Sequence, residues 1–200
     1  MLVLASASPR RRDLLAQAGY RFKVHPAHIP EDPRPDEDPI VYVTRLAREK
    51  AEAVFRELTA GSDFEKDHGD SESSLAVLGA DTTVTLDNTI LGKPADAADA
   101  ARMLRLLSGR THRVITGVAV VDSKGVEVAA EATAVRFLTL SDAEIADYVA
   151  AGEPMDKAGA YAIQGRAARW IPRIEGCYFN VMGLPLALVS TMLESCGDLR

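Results

Sequence analysis

The sequence contains little cysteine, and this scarcity limits the kinds of site that it can build. Cys177 and Cys196 are the only cysteines among 200 residues. They form no C-x-x-C pair, and neither clusters with the four histidines at a spacing typical of metal ligands. We therefore expect a reducing compartment and no structural zinc.

Long apolar runs and an excess of basic charge are also missing. No stretch is long enough to cross a bilayer, and the arginines near the N-terminus follow the first apolar run, which is the reverse of a secretory signal. The 29 acidic and 23 basic residues give a net charge of −6, which would repel a nucleic acid. We expect a cytoplasmic protein that binds neither membranes nor nucleic acids.

Several common catalytic motifs do not occur. The sequence lacks G-x-x-x-x-G-K-[ST], G-x-G-x-x-G, H-E-x-x-H and G-x-S-x-G. These absences remove the usual support for a P-loop NTPase, a dinucleotide-binding protein, a zinc protease or a serine hydrolase. Any phosphate chemistry must therefore use other residues.

Apolar patterning and capping residues predict alternating strands and helices. The predicted strands lie at 2–6, 21–26, 75–79, 84–86, 90–91, 114–121 and 126–138, with two more short strands after 165. Helices are predicted to begin after Ser8, Asp38, Asp96 and Ser141 and near Pro185. The strands outnumber simple βαβ repeats, which favours an α/β fold with a mixed sheet and outer helices. We expect one domain over residues 1–200, with a flexible polar excursion at about 59–74.

The first candidate site lies at the predicted junction between the first strand and the first helix. Ser6, Ser8, Arg10 and Arg11 occur there. Free N–H groups and the positive end of the helix dipole favour an anion, and arginines add charge-assisted hydrogen bonds. A capped helix with solvent-facing arginines explains the same pattern.

Three further segments carry candidate residues. Asp81 follows a predicted buried strand, where a carboxylate is well placed to hold a divalent cation or accept a proton from water; a turn aspartate is the alternative. Lys93 lies between Gly92 and Pro94 in a stiffened loop, although this pattern alone fits a solvated surface lysine better than a site residue. The glycine-broken segment 152–165 is either a ligand-binding loop or a structural turn. Charged residues at the ends of several elements are together what a metal-assisted phosphoryl site requires.

At these residues the sequence resembles the Maf family of nucleotide pyrophosphatases. The matching motifs are Leu4-Ala5-Ser6-Ala7-Ser8-Pro9-Arg10-Arg11, Arg45-Leu46-Ala47-Arg48-Glu49-Lys50-Ala51, Gly79-Ala80-Asp81-Thr82, Leu91-Gly92-Lys93-Pro94, Leu107-Ser108-Gly109, Thr116-Gly117, Asp156-Lys157-Ala158-Gly159-Ala160-Tyr161, Ile163-Gln164-Gly165 and Gly183-Leu184-Pro185. The resemblance implies an α/β, Maf/ITPase-like fold in which helices flank an elongated mixed β-sheet and two lobes enclose a central cleft. It also implies a homodimer that hydrolyses a nucleoside triphosphate to the monophosphate and pyrophosphate.

The resemblance assigns roles to particular residues. It implies catalytic roles for Asp81, as proton acceptor, and for Arg11, Lys50 and Lys93, and substrate-binding or specificity roles for Ser6, Arg10, Thr82 and Gln164. In the mechanism that we expect, Lys157 assists in binding the phosphates, and Asp81 and Glu31 hold Mg²⁺ or Mn²⁺.

Within the family, Thr82 and the segment from Asp156 to Gln164 resemble the branch that hydrolyses dTTP and UTP. The amide of Gln164 offers a donor and an acceptor, which suits the O4 and N3–H edge shared by thymine and uracil. Two alternatives remain open at this point. One is a purine-selective pyrophosphatase of the ITP type, and the other is a non-catalytic nucleotide-binding regulator of cell division.

Overall fold

A computed structural model of the chain describes residues 1–60, 75–194 and 196. Its strands are β1 (Leu2–Leu4), β2 (Phe22–Val24), β3 (Ala76–Leu86), β4 (Thr89–Leu91), β5 (Thr111–Asp122), β6 (Gly125–Arg136) and β7 (Arg173–Glu175). Its α-helices are α1 (Pro9–Gln17), α2 (Pro39–Ala60), α3 (Ala97–Leu107), α4 (Asp142–Ala150), α5 (Tyr178–Met182) and α6 (Leu186–Glu194). Two short 3-10 helices cover Ala158–Ala160 and Arg166–Trp170.

The strands form one mixed sheet. Its order is β2-β1-β3-β5-β6-β7, and β4 pairs with the far end of β3. β1 runs parallel to β2 and β3, whereas β3, β5, β6 and β7 pair antiparallel in succession. The predicted α/β class with a mixed sheet is confirmed.

The predicted helix starts are also confirmed. The side chains of Ser8, Asp96 and Ser141 accept hydrogen bonds from backbone N–H groups in the first turns of α1, α3 and α4. Asp38 Oδ1 accepts from two N–H groups at the start of α2. Each cap satisfies N–H groups that the helix itself leaves without a partner.

Three predicted boundaries are wrong. The strands expected at 75–79 and 84–86 are one strand, β3, so Asp81 lies within a strand instead of after it. Within the described residues after 165 there is one strand, not two, because Ala167 and Trp170 turn inward at the three-residue spacing of a 3-10 helix. Residues 59 and 60 of the expected excursion belong to α2. The rest of that excursion lies outside the described residues.

Two glycines explain why β3 continues through Asp81. A Cβ atom at Gly79 would lie 2.2 Å from the backbone oxygen of Ala47, and one at Gly117 would lie 2.3 Å from that of Val43. The backbone of α2 therefore packs directly on β3 and β5. This contact and the pairing of Asp81 with Gly117 offset the weak strand preference of glycine and aspartate.

The buried apolar residues divide the sheet between two lobes. In the first lobe, Ala47 of α2 packs with Val3 and Val77 on one face, and Leu14 of α1 and Val189 of α6 belong to the cluster on the other. In the second lobe, a separate cluster packs α3, α4 and the longer 3-10 helix against the opposite ends of the long strands. No helix in the described part of the chain combines the length and apolar character needed to span a membrane.

β3 lacks a strand partner along part of one edge, at the border between the lobes. β1 pairs with Ala76–Leu78, and β4 pairs with Val84–Leu86. Among the described strands, none pairs with residues 79–83 on that side. The sheet is therefore open at this border, beside Asp81.

Candidate active site

A cleft of about 640 Å³ opens at the gap beside β3. It is lined by all ten residues for which a site role was predicted, namely Ser6, Arg10, Arg11, Glu31, Lys50, Asp81, Thr82, Lys93, Lys157 and Gln164. They come from the segment after β1, from α1, α2 and β3, and from three loops. The structure thus brings together residues that are up to 158 positions apart in the sequence.

Lys50 joins the two predicted metal-binding carboxylates. Its Nζ atom lies 2.7 Å from Asp81 Oδ1 and 2.8 Å from Glu31 Oε1. Burial by itself raises the pKa of Glu31, but the hydrogen bond and charge of Lys50, with more distant cations, outweigh burial and lower it. Glu31 is therefore held as a carboxylate, and Lys50 fixes its distance from Asp81.

Lys50 and Asp81 both lie within regular elements. Lys50 is in the middle of α2, and Asp81 is in the middle of β3. The expectation that the charged residues would all lie at element ends was therefore wrong. The physical reason is the close packing of α2 on Gly79 and Gly117, which brings a mid-helix lysine next to a mid-strand carboxylate.

The guanidinium group of Arg11 makes four hydrogen bonds with the protein. Its Nε donates to the Gly183 carbonyl at 2.8 Å, Nη1 donates to Ser6 Oγ at 3.2 Å and to the Ala80 carbonyl at 2.8 Å, and Nη2 donates to Thr82 Oγ1 at 3.0 Å. Burial lowers the pKa of Arg11. These four bonds use most of its five N–H groups. Arg11 therefore joins α1 to the free edge of β3 and fixes the hydroxyls of Ser6 and Thr82.

The remaining cations differ in how much they are engaged. Lys157 Nζ donates to the Glu153 carbonyl at 2.7 Å and also pairs with Asp156. Arg10 makes a longer contact of 3.8 Å with Asp156. Lys93 is exposed and makes no ion pair with any residue in the described ranges. Lys93 and Arg10 are thus the cations most available to an anionic ligand.

Sequence reasoning missed Tyr42, which positions the loop that carries Glu31. The Tyr42 hydroxyl donates to the Glu31 carbonyl at 2.8 Å and lines the cleft. Burial, reinforced by the nearby carboxylates, raises the pKa of Tyr42 to about 12, so its hydroxyl stays protonated. Nothing in the sequence distinguishes Tyr42 from an ordinary tyrosine near a helix start.

The same loop is also held by Arg45, a residue of a matched motif without a predicted role. Arg45 pairs with Glu37 at 2.6 Å and donates to the Asp32 carbonyl at 3.3 Å. The hydrogen bond from Arg45 lowers the pKa of Glu37 to about 2. Two residues of α2 thus hold the loop that brings Glu31 to Lys50.

Comparisons with known proteins show the family of this chain. A family model described as Maf-like protein matches residues 1–196. The chain is 52% identical to a dTTP/UTP pyrophosphatase of Koribacter versatilis over 198 residues, which cover 99% of this chain and 95% of the relative. It is also 52% identical to a dTTP/UTP pyrophosphatase of Citrifermentans bemidjiense over 200 residues, which cover 99% and 96%.

Among solved structures, the chain has a distant likeness to the Staphylococcus aureus Ham1 protein. The TM-score is 0.40 at 11% identity, with 97% of this chain and 98% of that chain covered. A likeness at this level supports no inference about the site.

Proposed function

Because the chain belongs to the Maf-like protein family, we infer that it hydrolyses dTTP and UTP to the monophosphate and pyrophosphate. The observation that carries this proposal is 52% identity, over 99% of the chain, to two relatives named dTTP/UTP pyrophosphatase. The convergence of the ten predicted residues on one cleft supports it.

The charge balance of the cleft suits a triphosphate that arrives with a divalent cation. Five cationic and four acidic side chains line it among the described residues, so its own net charge is only slightly positive. A triphosphate carries several negative charges, and a cation bound with it would offset them. No group of three or more His, Cys, Asp or Glu within the described ranges could hold a metal ion unaided.

The residues present nevertheless fit Mg²⁺ or Mn²⁺. Both ions prefer oxygen ligands, and Mg²⁺ is often held by one or two carboxylates together with substrate phosphates. Asp81 and Glu31, kept close by Lys50, would supply those carboxylates. Such an ion, when bound, neutralises charge on the phosphates and polarises the phosphoryl group.

Asp81 is the proposed proton acceptor for the attacking water. Its side chain is almost buried at the floor of the cleft, and Lys50 holds one of its oxygens. The second carboxylate oxygen can then accept a proton from a water aimed at the α-phosphorus.

The cations divide into phosphate ligands and supporting residues. Lys93 and Arg10 would contact the phosphates, because they are the least engaged with the protein. Lys157 assists from the opposite loop. Arg11 contributes positive charge and holds Ser6 and Thr82 in place, since most of its N–H groups are already in use.

Gln164 is the proposed base-reading residue. It lies on the loop that lines the far side of the cleft, and its side chain is exposed to that space. A donor and an acceptor at this position match the shared edge of thymine and uracil, whereas cytosine reverses the pattern. The two substrates differ by one methyl group, which a pocket separates only weakly.

A cytoplasmic homodimer belongs to the same proposal. The scarcity of cysteine supports a reducing compartment. β7 covers only Ala134–Arg136 on the outer edge of β6, and a second copy would cover part of the remaining edge.

A pyrophosphate-release assay with Mg²⁺ or Mn²⁺ tests this function across dTTP, UTP, CTP, dGTP and ITP. We expect release from dTTP and UTP, and a loss of about 10²–10⁴ in rate for Asp81→Asn. Asp13→Asn, an exposed change in α1, is the control. Release from purine nucleotides alone would favour the ITP-type alternative, and no release from any nucleotide would favour a non-catalytic regulator.

A further inference from the structure

The loop from Gly152 to Gly165 carries the predicted base-reading residue, Gln164, but Gln164 makes no hydrogen bonds within the described part of the chain that would fix its own position. Within the described residues, its side-chain amide makes no hydrogen bond. The backbone N–H groups of Ile163 and Gln164 donate none either. Among the described residues, the one backbone hydrogen bond inside this turn runs from the Gly165 N–H to the Ala162 carbonyl at 3.1 Å, so contacts from outside the turn must fix its position in the cleft.

Tyr148 holds one side of this segment. Its ring is completely buried in α4 and packs against Trp170, with ring centroids 4.9 Å apart. Its hydroxyl accepts a hydrogen bond from the Ala162 N–H at 3.2 Å and donates one to Glu153 Oε1 at 2.8 Å. The chain is thus anchored two residues before Gln164.

Glu153 holds the other side. Its carboxylate accepts from the Arg166 N–H at 3.1 and 3.3 Å, which caps the 3-10 helix that begins there. A Cβ atom at Gly165 would lie 1.7 Å from Glu153 Oε1, so the carboxylate packs directly on that backbone. The chain is therefore also anchored two residues after Gln164.

We propose that Tyr148 and Glu153 are positioning residues that fix the segment 162–166 and thereby set the preference for uracil and thymine over cytosine. This inference rests on the proposed function. A side-chain amide can turn over and offer cytosine a matching edge. The two anchors, together with the turn bond from the Gly165 N–H to the Ala162 carbonyl, restrict how far the peptide groups of Ile163 and Gln164 can move. This clamp, formed by Tyr148 and Glu153, therefore helps to hold the base-reading edge at the position that fits uracil and thymine.

The test compares Tyr148→Phe and Glu153→Gln with the wild type. Both changes keep the shape of the side chain and weaken the clamp. We expect kcat/KM for dTTP to fall about tenfold, mainly through KM, because binding contacts to the base are lost. The kcat/KM for CTP should stay unchanged, so the ratio of kcat/KM for dTTP to that for CTP also falls about tenfold. Tyr20→Phe, which removes a hydroxyl bonded to Ser190 in the other lobe, is the matched control.

Hydrogen exchange gives a readout that does not depend on activity. The Ala162 and Arg166 amides should exchange at least about tenfold faster in both clamp variants than in the wild type or in Tyr20→Phe. An unchanged dTTP to CTP ratio, or an equal loss for both nucleotides, would overturn the specificity role. Unchanged exchange would overturn the clamp itself. If the wild type releases no pyrophosphate from dTTP, the proposed function fails, and hydrogen exchange still decides whether the clamp exists.

Discussion

Replacing Lys50 by methionine tests whether Lys50 neutralises a buried carboxylate. The Lys50 side chain is 8% exposed and that of Asp81 is 11% exposed, whereas Glu31 is 51% exposed. Methionine keeps most of the length and apolar contact of lysine but removes its charge. The variant therefore removes the cation that pairs with the buried side chain of Asp81.

The expected cost follows from these exposures. Removing one partner of a buried ion pair costs about 3–5 kcal/mol, and an exposed pair contributes only about 0–1 kcal/mol. Because the cleft admits water, we expect the lower value. Lys50→Met should lower the free energy of unfolding by about 3 kcal/mol through the lost contact with Asp81, and by little more through the lost contact with Glu31. For a chain of this size, that corresponds to a fall in Tm of about 6–12 °C.

A double-mutant cycle with Asp81→Asn isolates the pair. We expect Lys50→Met combined with Asp81→Asn to be more stable than Lys50→Met alone by about 2 kcal/mol, because the second change removes the unpaired charge. Urea unfolding in EDTA at pH 7.5 measures each free energy without a contribution from bound metal. Additive effects, or a cost below about 1 kcal/mol for Lys50→Met, would refute the reasoning.

Two further changes probe the packing around the cleft. Gly117→Ala places a Cβ atom 2.3 Å from the Val43 carbonyl oxygen. Because the backbone must move to make room, we expect the free energy of unfolding in urea to fall by about 3 kcal/mol. Gly92→Ala, which meets open space, is the control, and equal stability of the two variants would contradict this expectation. Burial lowers the pKa of His112 to about 3, so its stabilising contribution is complete above about pH 6.5 and is lost as the pH falls towards 3. Between pH 6.5 and 4, the free energy of unfolding of His112→Gln, measured in urea, should therefore fall by about 3 kcal/mol less than that of the wild type. If the two free energies fall in parallel with pH, His112 does not titrate in this way.

The sequence predicts the helix starts well because each depends on a local contact. Ser8 and Ser141 bond to N–H groups only three residues away, so the pattern that predicts the cap also contains the partner. The turn at Asp87-Asn88 is similar. Both residues have positive φ values, 50° and 64°, as a tight hairpin requires, and aspartate and asparagine tolerate them.

The geometry of the site depends on contacts that are distant in sequence, and these could not be predicted from local patterns. The sequence predicts that Asp81 lies just after a strand, because glycine and aspartate are poor strand formers, but helix α2 and strand β5 extend the strand through it. Arg11 looked like a free cation, and its partner Gly183 lies 172 positions away. Motif resemblance predicted which residues meet, whereas tertiary packing determines which of them remain free to bind a ligand.

The long strands that cross the border between the lobes limit how the cleft can move. β3, β5 and β6 contain 11, 12 and 12 residues, so each extends about 37–41 Å without a break. The lobes share these strands in place of a flexible linker, and a hinge at the border would have to break the hydrogen bonds of a continuous ladder. The two walls of the cleft are therefore held at a nearly constant separation before any ligand arrives. A ligand that fits this spacing pays little of the conformational entropy that closing two independent domains would cost.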